Sequence, residues 1–219
     1  MKDLSWNQTL AGPDRDLAIE AFDKELNSLL NEILVPIPKD HPDRKEAEKL
    51  ATAGRALLDY KRCGVYKARI VKQGFKEDKV AMDGPDFNYY AHVCELQSVR
   101  ASVLRPRRRG RRLCQVDIST AFLQSNKYGK DEPPKYLTFT NPITKEKLYY
   151  RQLGPIYGEN SAPVRWEQTI VPWLTSEDDT TDLISGGFSF IRGDNEKCVF
   201  YHPDRDLLLL LYGKLFVYT

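Results

Sequence analysis

A chain of 219 residues is long enough for one ordinary domain or two small ones with a buried core. Its 41% hydrophobic and 29% charged residues exclude a disordered tail, and its longest uncharged apolar run, 207–212, falls far short of the roughly 18 residues of a membrane-spanning helix. The formal net charge of +2 hides one anomaly: seven arginines and no acid between Arg100 and Arg112, while the rest of the chain holds more acids than bases.

Such a run reads as a solvated loop, a nuclear address or a contact with nucleic acid. Cys63, Cys94, Cys114 and Cys198 are widely spaced and form no CxxC pair, which argues against structural zinc. With no apolar signal-peptide core at residues 1–6, the expected setting is intracellular, cytoplasmic or nuclear.

Residues 14–33 predict the first helix. Ala18, Phe22, Leu26, Leu29, Leu30 and Ile33 recur at three- and four-residue steps, Asp14 is placed to cap the start, and Pro36 and Pro38 stop the run. Residues 44–61 are charged and alanine-rich, and leave helix and loop both open. Two strands follow around a turn at Arg62, Cys63 and Gly64. In the second, Tyr66, Ala68 and Ile70 share one face, so Lys67 and Arg69 share the other, about 7 Å apart at the rise of a strand. Two cations at that spacing can hold a polyphosphate, or simply face solvent.

A strand over 113–118 alternates Leu113, Gln115 and Asp117 against Cys114, Val116 and Ile118. Burying an aspartate there is costly unless something pairs with it. Short strands are expected near 136–140 and 148–153, then a helix from Ser161 with Pro163 in its first turn and Pro172 near its end. Residues 186–191 and 198–202 predict one hairpin, and 207–212 with 215–218 a second, closed by Gly213 and Lys214.

Taken in order, these stretches resemble the reverse transcriptase of copia-type long-terminal-repeat retrotransposons. Tyr66-Lys67-Ala68-Arg69-Ile70-Val71-Lys72-Gln73-Gly74-Phe75 looks like that family's fingers motif, and Gln115-Val116-Asp117-Ile118-Ser119-Thr120-Ala121-Phe122-Leu123 like its first catalytic motif. Leu153-Gly154-Pro155-Ile156-Tyr157-Gly158, then Ala162-Pro163 and Trp166, is similar to the motif L-x-x-x-L-Y-G-L-x-Q-x-P-R-x-W. Gly187-Phe188, Asp194 and Phe200 follow the family's G-F-x(5)-D-x(5)-F spacing.

The resemblance implies an α+β right-hand polymerase, with an antiparallel sheet packed by helices. Fingers would occupy about 1–112 and palm about 113–219, without thumb, ribonuclease H or integrase regions. It implies an RNA template, a DNA primer and deoxynucleotides as partners, and two Mg²⁺ ions for phosphoryl transfer. Asp117 would be a catalytic metal ligand, Lys67 and Arg69 would grip the triphosphate, Phe122 would crowd the sugar 2′-carbon, and Ser161 stands where the family places a glutamine near the template–nucleotide pair.

Where the family carries Tyr-x-Asp-Asp, this chain has Tyr212 followed by Gly213 and Lys214, and no acid follows Asp206. Lys214 would repel a metal ion. Arg107, Arg108, Arg109, Arg111 and Arg112 stand where relatives carry an apolar helix, which Pro106 and Gly110 are expected to break. Three readings follow: an active polymerase with a misread C-terminus, a degenerate fingers–palm fragment, or a nucleic-acid-binding module using the arginines. The missing acids favour the second.

Overall fold

The computed structural model describes residues 4–108, 113–176, 188–205, 207–211 and 215–218. In chain order the elements are α1 (Trp6–Leu10), α2 (Arg15–Glu32), β1 (Leu34–Pro36), α3 (Arg44–Leu50), β2 (Thr52–Tyr60), β3 (Tyr66–Lys72), α4 (Lys79–Asp83), α5 (Leu96–Arg108), β4 (Leu113–Val116), β5 (Lys135–Thr140), β6 (Lys147–Gln152), α6 (Ala162–Thr175), β7 (Ile191–Arg192), β8 (Val199–His202), β9 (Leu207–Leu211) and β10 (Leu215–Tyr218). The architecture is α+β, and the chain divides into two compact bodies. The first comprises Met1–Tyr89 and Phe122–Arg165, and the second Tyr90–Ala121 and Trp166–Thr219.

The first body is built on a sheet of order β1-β6-β5-β2-β3, antiparallel except where β2 meets β5. The apolar stripe of α2 explains its place: Ala18, Phe22 and Leu29 are fully buried in one core with Leu58, Ala68, Ile70, Leu137 and Phe139. Each large side chain so buried contributes about 1.5–3 kcal/mol. Strand β3 is the sheet edge, and Glu25 of α2 accepts the Ile70 N–H at 3.2 Å, satisfying a donor that an edge strand leaves open.

Asp14 makes no capping hydrogen bond to α2; its Oδ2 accepts the Tyr66 hydroxyl at 2.8 Å instead. The undecided stretch after residue 44 resolves into α3, ended at Leu50, and the long strand β2.

The second body carries an all-antiparallel sheet of order β4-β10-β9-β8-β7. Its core joins Phe200 and Leu209 of the sheet to Phe190 and to Ile170 and Leu174 of α6. Pro172 lies in the last turn of α6, near its end as expected. Helix α5 runs on to Arg108, so Pro106 does not stop it: in the last turn a proline forfeits a single intrahelical hydrogen bond. Among the described residues, no helix is long and apolar enough to cross a membrane.

Candidate functional site

Strand β4 ends at Val116, one residue before Asp117, so the carboxylate leaves the strand instead of lying within it. Its neighbour is β10, with Val116 opposite Leu215 and Cys114 opposite Val217. On its other edge β10 pairs with β9, Leu215 opposite Leu211. Asp117 therefore emerges at the end of the sheet where β9 hands over to β10. Two segments separated by about ninety residues converge because β10 sits between β4 and β9. Asp117 is exposed, while Ile118 behind it packs on the second body's core. Gly213 and Lys214, between the paired strands, lie outside the described residues.

A two-magnesium centre needs at least two carboxylates converging on the ions. Asp117 is one carboxylate at this end of the sheet. Among the described residues, no three His, Cys, Asp or Glu side chains are grouped so as to hold a metal ion. With Gly213 and Lys214 in the connection and no acid beyond Asp206, the residues present do not fit such a centre.

The nucleotide-binding candidates belong to the first body. Lys67 and Arg69 do share a face of β3, but Asp59 lies directly across from Lys67 on β2 and takes Arg69 in an ion pair of 2.6 Å. The Asp59 carboxylate is buried, so Arg69 already has a counter-charge. Phe122 packs edge-to-face on Tyr157, with ring centroids 5.4 Å apart.

Ser161 is fully buried; its hydroxyl donates to Glu159 at 2.8 Å and accepts from Arg165 at 3.3 Å. It is one link of an interior network, not a surface group. In the second body Arg100 is exposed on α5; Arg107 and Arg108 close that helix, and Arg109, Arg111 and Arg112 lie outside the described residues.

The network around Ser161 is the feature that sequence reasoning missed. Lys72 continues the buried face of Ala68 and Ile70, and its ammonium pairs with Glu77 at 2.7 Å and Glu159 at 3.4 Å. Glu159 also accepts from Tyr128 at 2.6 Å and from Gln152 at 3.1 Å. Arg165 extends the chain to Asp83 at 2.8 Å and Glu132 at 2.5 Å, and Asp83 takes Lys135 and, at 2.7 Å, Tyr89.

Burial pushes the Glu159 carboxyl up, but Lys72, Tyr128, Lys135 and Ser161 together hold it below its usual range. Burial likewise raises Asp83 and Glu132, and their cationic partners outweigh it. The signal available in the sequence was parity, because Lys72 falls on the same side of β3 as two core residues.

The network also ties two motif stretches together. Lys72 N–H donates to the Tyr157 carbonyl at 2.8 Å and Gly74 N–H to that of Gly158 at 3.0 Å, so the Ile156-Tyr157-Gly158 segment clips onto the end of β3. Gly158 sits at φ +84°, and a Cβ there would lie 2.2 Å from the Lys72 carbonyl oxygen. Only glycine meets both conditions.

The chain is similar to the Transposon Ty1-NL2 Gag-Pol polyprotein of Saccharomyces cerevisiae, with 25% identity over 193 residues. That alignment takes in 85% of this chain and 10% of the polyprotein, so the chain spans about a tenth of the length of the relative it matches. No protein-family profile matches it. The likeness supports a retrotransposon-related origin.

Proposed function

We propose that this chain is a reverse transcriptase-like domain of the copia type that does not polymerise as written. The observation that carries this reading is the register of the second sheet. The strand that leads into Asp117 lies antiparallel beside the last hairpin, Val116 against Leu215, the placement a polymerase needs to bring its first-motif acid to its dyad turn. In the sequence, Gly213 and Lys214 stand between the two strands where the family carries its acids, so the metal chemistry lacks its donors. RNA template, DNA primer and deoxynucleotides are the partners this reading assigns, and Mg²⁺ is the ion the intact site would have taken.

The test is primer extension with an RNA template, DNA primer, all four deoxynucleotides and Mg²⁺ or Mn²⁺. Product should not exceed that of an Asp117→Ala control; extension that vanishes in the control overturns the inactive reading. A second reading, nucleic-acid binding without catalysis, is favoured by the continuation of α5 to Arg108, which carries Arg100, Arg105, Arg107 and Arg108 on one helix. Changing Arg107, Arg108 and Arg109 to Ala should then lower both affinity and its salt dependence.

A further inference from the structure

The first body carries a cavity of about 590 Å³ at the outer margin of its sheet, formed where β1 leaves the sheet, where α3 begins and where β6 starts. That volume falls within the roughly 300–1,000 Å³ of small-molecule sites. Its body is apolar: Pro36 and Pro38 on one wall, Leu148 and the buried Tyr149 and Tyr150 on the other. Its charges are unbalanced, with Lys39, Arg44 and Lys147 against Glu146.

Arg44 is held in place. Its Nε donates to Glu48 at 2.8 Å, its Nη1 to the Ile37 carbonyl at 3.0 Å, and its guanidinium lies 4.0 Å from the centroid of the Tyr149 ring. Lys147 approaches the same ring at 5.2 Å. Ile37 N–H donates to the Tyr149 carbonyl at 2.9 Å, which fixes the two walls against each other. Lys39 and Lys147 are exposed, and among the described residues neither has a carboxylate within ion-pair distance.

We propose that this cavity binds a phosphomonoester with an apolar body, the phosphate on Lys39 and Lys147 and the body over Pro36, Pro38 and Leu148. Lysine ammonium groups serve phosphate as mobile point charges, whereas Arg44, already spent on Glu48 and a carbonyl, contributes a fixed positive field. The exposed Pro36 and Pro38, with the half-buried Leu148, favour an organic phosphate over a bare ion, because only the organic ligand removes them from water. The site stands independently of polymerase chemistry, since it uses none of the residues assigned to that reading.

The probe is phenyl phosphate, followed by the amide signals of the whole chain in two-dimensional NMR, with inorganic phosphate and phenol as separate arms. Saturable shifts centred on Ile37, Lys39 and Lys147 are expected with phenyl phosphate, and binding about tenfold weaker in the Lys39→Ala/Lys147→Ala double variant. Lys76→Ala, in the same body but outside the cavity, should leave affinity unchanged. Shifts located elsewhere, no saturation, or affinity untouched by the double variant would overturn the site. Equal binding of phenol would overturn charge recognition, and equal binding of inorganic phosphate would overturn the role of the apolar walls. Adenosine monophosphate and phosphotyrosine then separate a nucleotide from a phosphorylated side chain as the natural source, the tighter of the two identifying it.

Discussion

The two bodies use charge in opposite ways. In the first, Lys72, Lys135, Asp83, Glu77 and Glu159 are all nearly or fully buried, and each is answered by a partner of opposite sign. In the second, the central strand β9 is five leucines in a row, and the core is Ile170, Leu174, Phe190, Phe200 and Leu209. An apolar core tolerates changes of shape and loses stability in proportion to the area removed, whereas a buried ionic network fails sharply when a single member is lost. The first body should therefore be the brittle one, and its brittleness should depend on pH.

The sharpest way to break that contrast is Glu159→Ala. Removal leaves Lys72 fully buried with one of its two carboxylates gone and strips Tyr128, Gln152 and Ser161 of their acceptor. Breaking a buried pair from one side costs about 3–5 kcal/mol. Denaturant unfolding should show a loss of this size, and a Lys72→Met/Glu77→Gln/Glu159→Leu triple variant, which leaves neither carboxylate unpaired, should recover much of it. A single variant as stable as the parent would show that the network is not closed.

Next in size is Gly158→Ala. The left-handed backbone and the 2.2 Å approach to the Lys72 carbonyl act together, and strain of this kind costs on the order of 1–3 kcal/mol. Amide exchange at Lys72 and Gly74, whose N–H groups donate to carbonyls on either side of that turn, should accelerate with it. The same substitution at Gly84, also at positive φ but with nothing within 4 Å of an added Cβ, should cost less.

These positions show what was legible beforehand and what was not. The α2 stripe and the β2–β3 hairpin announce themselves through local periodicity, which one strand or helix contains by itself. So does the last hairpin, although Leu211 and not Tyr212 stands opposite Leu215, so three residues connect the paired positions where the pattern predicted two. The insertion of β10 between β4 and β9 is a long-range pairing that no local pattern encodes. Lys72 shows the opposite case. Its parity on β3 was readable, but its partners Glu77 and Glu159 come from a following turn and from a segment 87 residues away. Lys67 and Arg69 were correctly placed on one face, yet Asp59, which answers Arg69, belongs to the neighbouring strand.

Acid sharpens the comparison at lower amplitude. The Glu159, Asp83 and Glu132 carboxyls are all held below their ordinary values in the folded chain. A depressed folded pKa adds stability that is complete above the unfolded carboxylate range, about 4–4.5, and is lost as pH falls through the folded value. Glu167, ion-paired with Arg192 at 2.5 Å and with His92, and Glu196 of the second body are depressed too, but their surroundings are half-buried, whereas Glu159 and Asp83 are held by the nearly buried Lys72 and Lys135. Amide protection in β3 should therefore collapse on acidification before protection in β9. In the Lys72→Met/Glu77→Gln/Glu159→Leu variant the two should fall closer together.

The smallest effect concerns reactivity alone and probes whether the second body's apolar sheet is closed. Cys94 and Cys198 are buried with Leu210, and burial, reinforced by Glu196, pushes their thiols up to about 11 and about 12. Cys63 and Cys114 are exposed. The thiolate is the attacking species, so at pH 8 a thiol with a pKa near 11 presents about one part in a thousand of its reactive form. An aromatic disulfide reagent should consume Cys63 and Cys114 rapidly in the native chain, and Cys94 and Cys198 only once it unfolds. Rapid native labelling of Cys198 would mean that the sheet opens over Leu210 on the timescale of the reagent. The second body would then be the less stable of the two, although the core of its described residues is apolar.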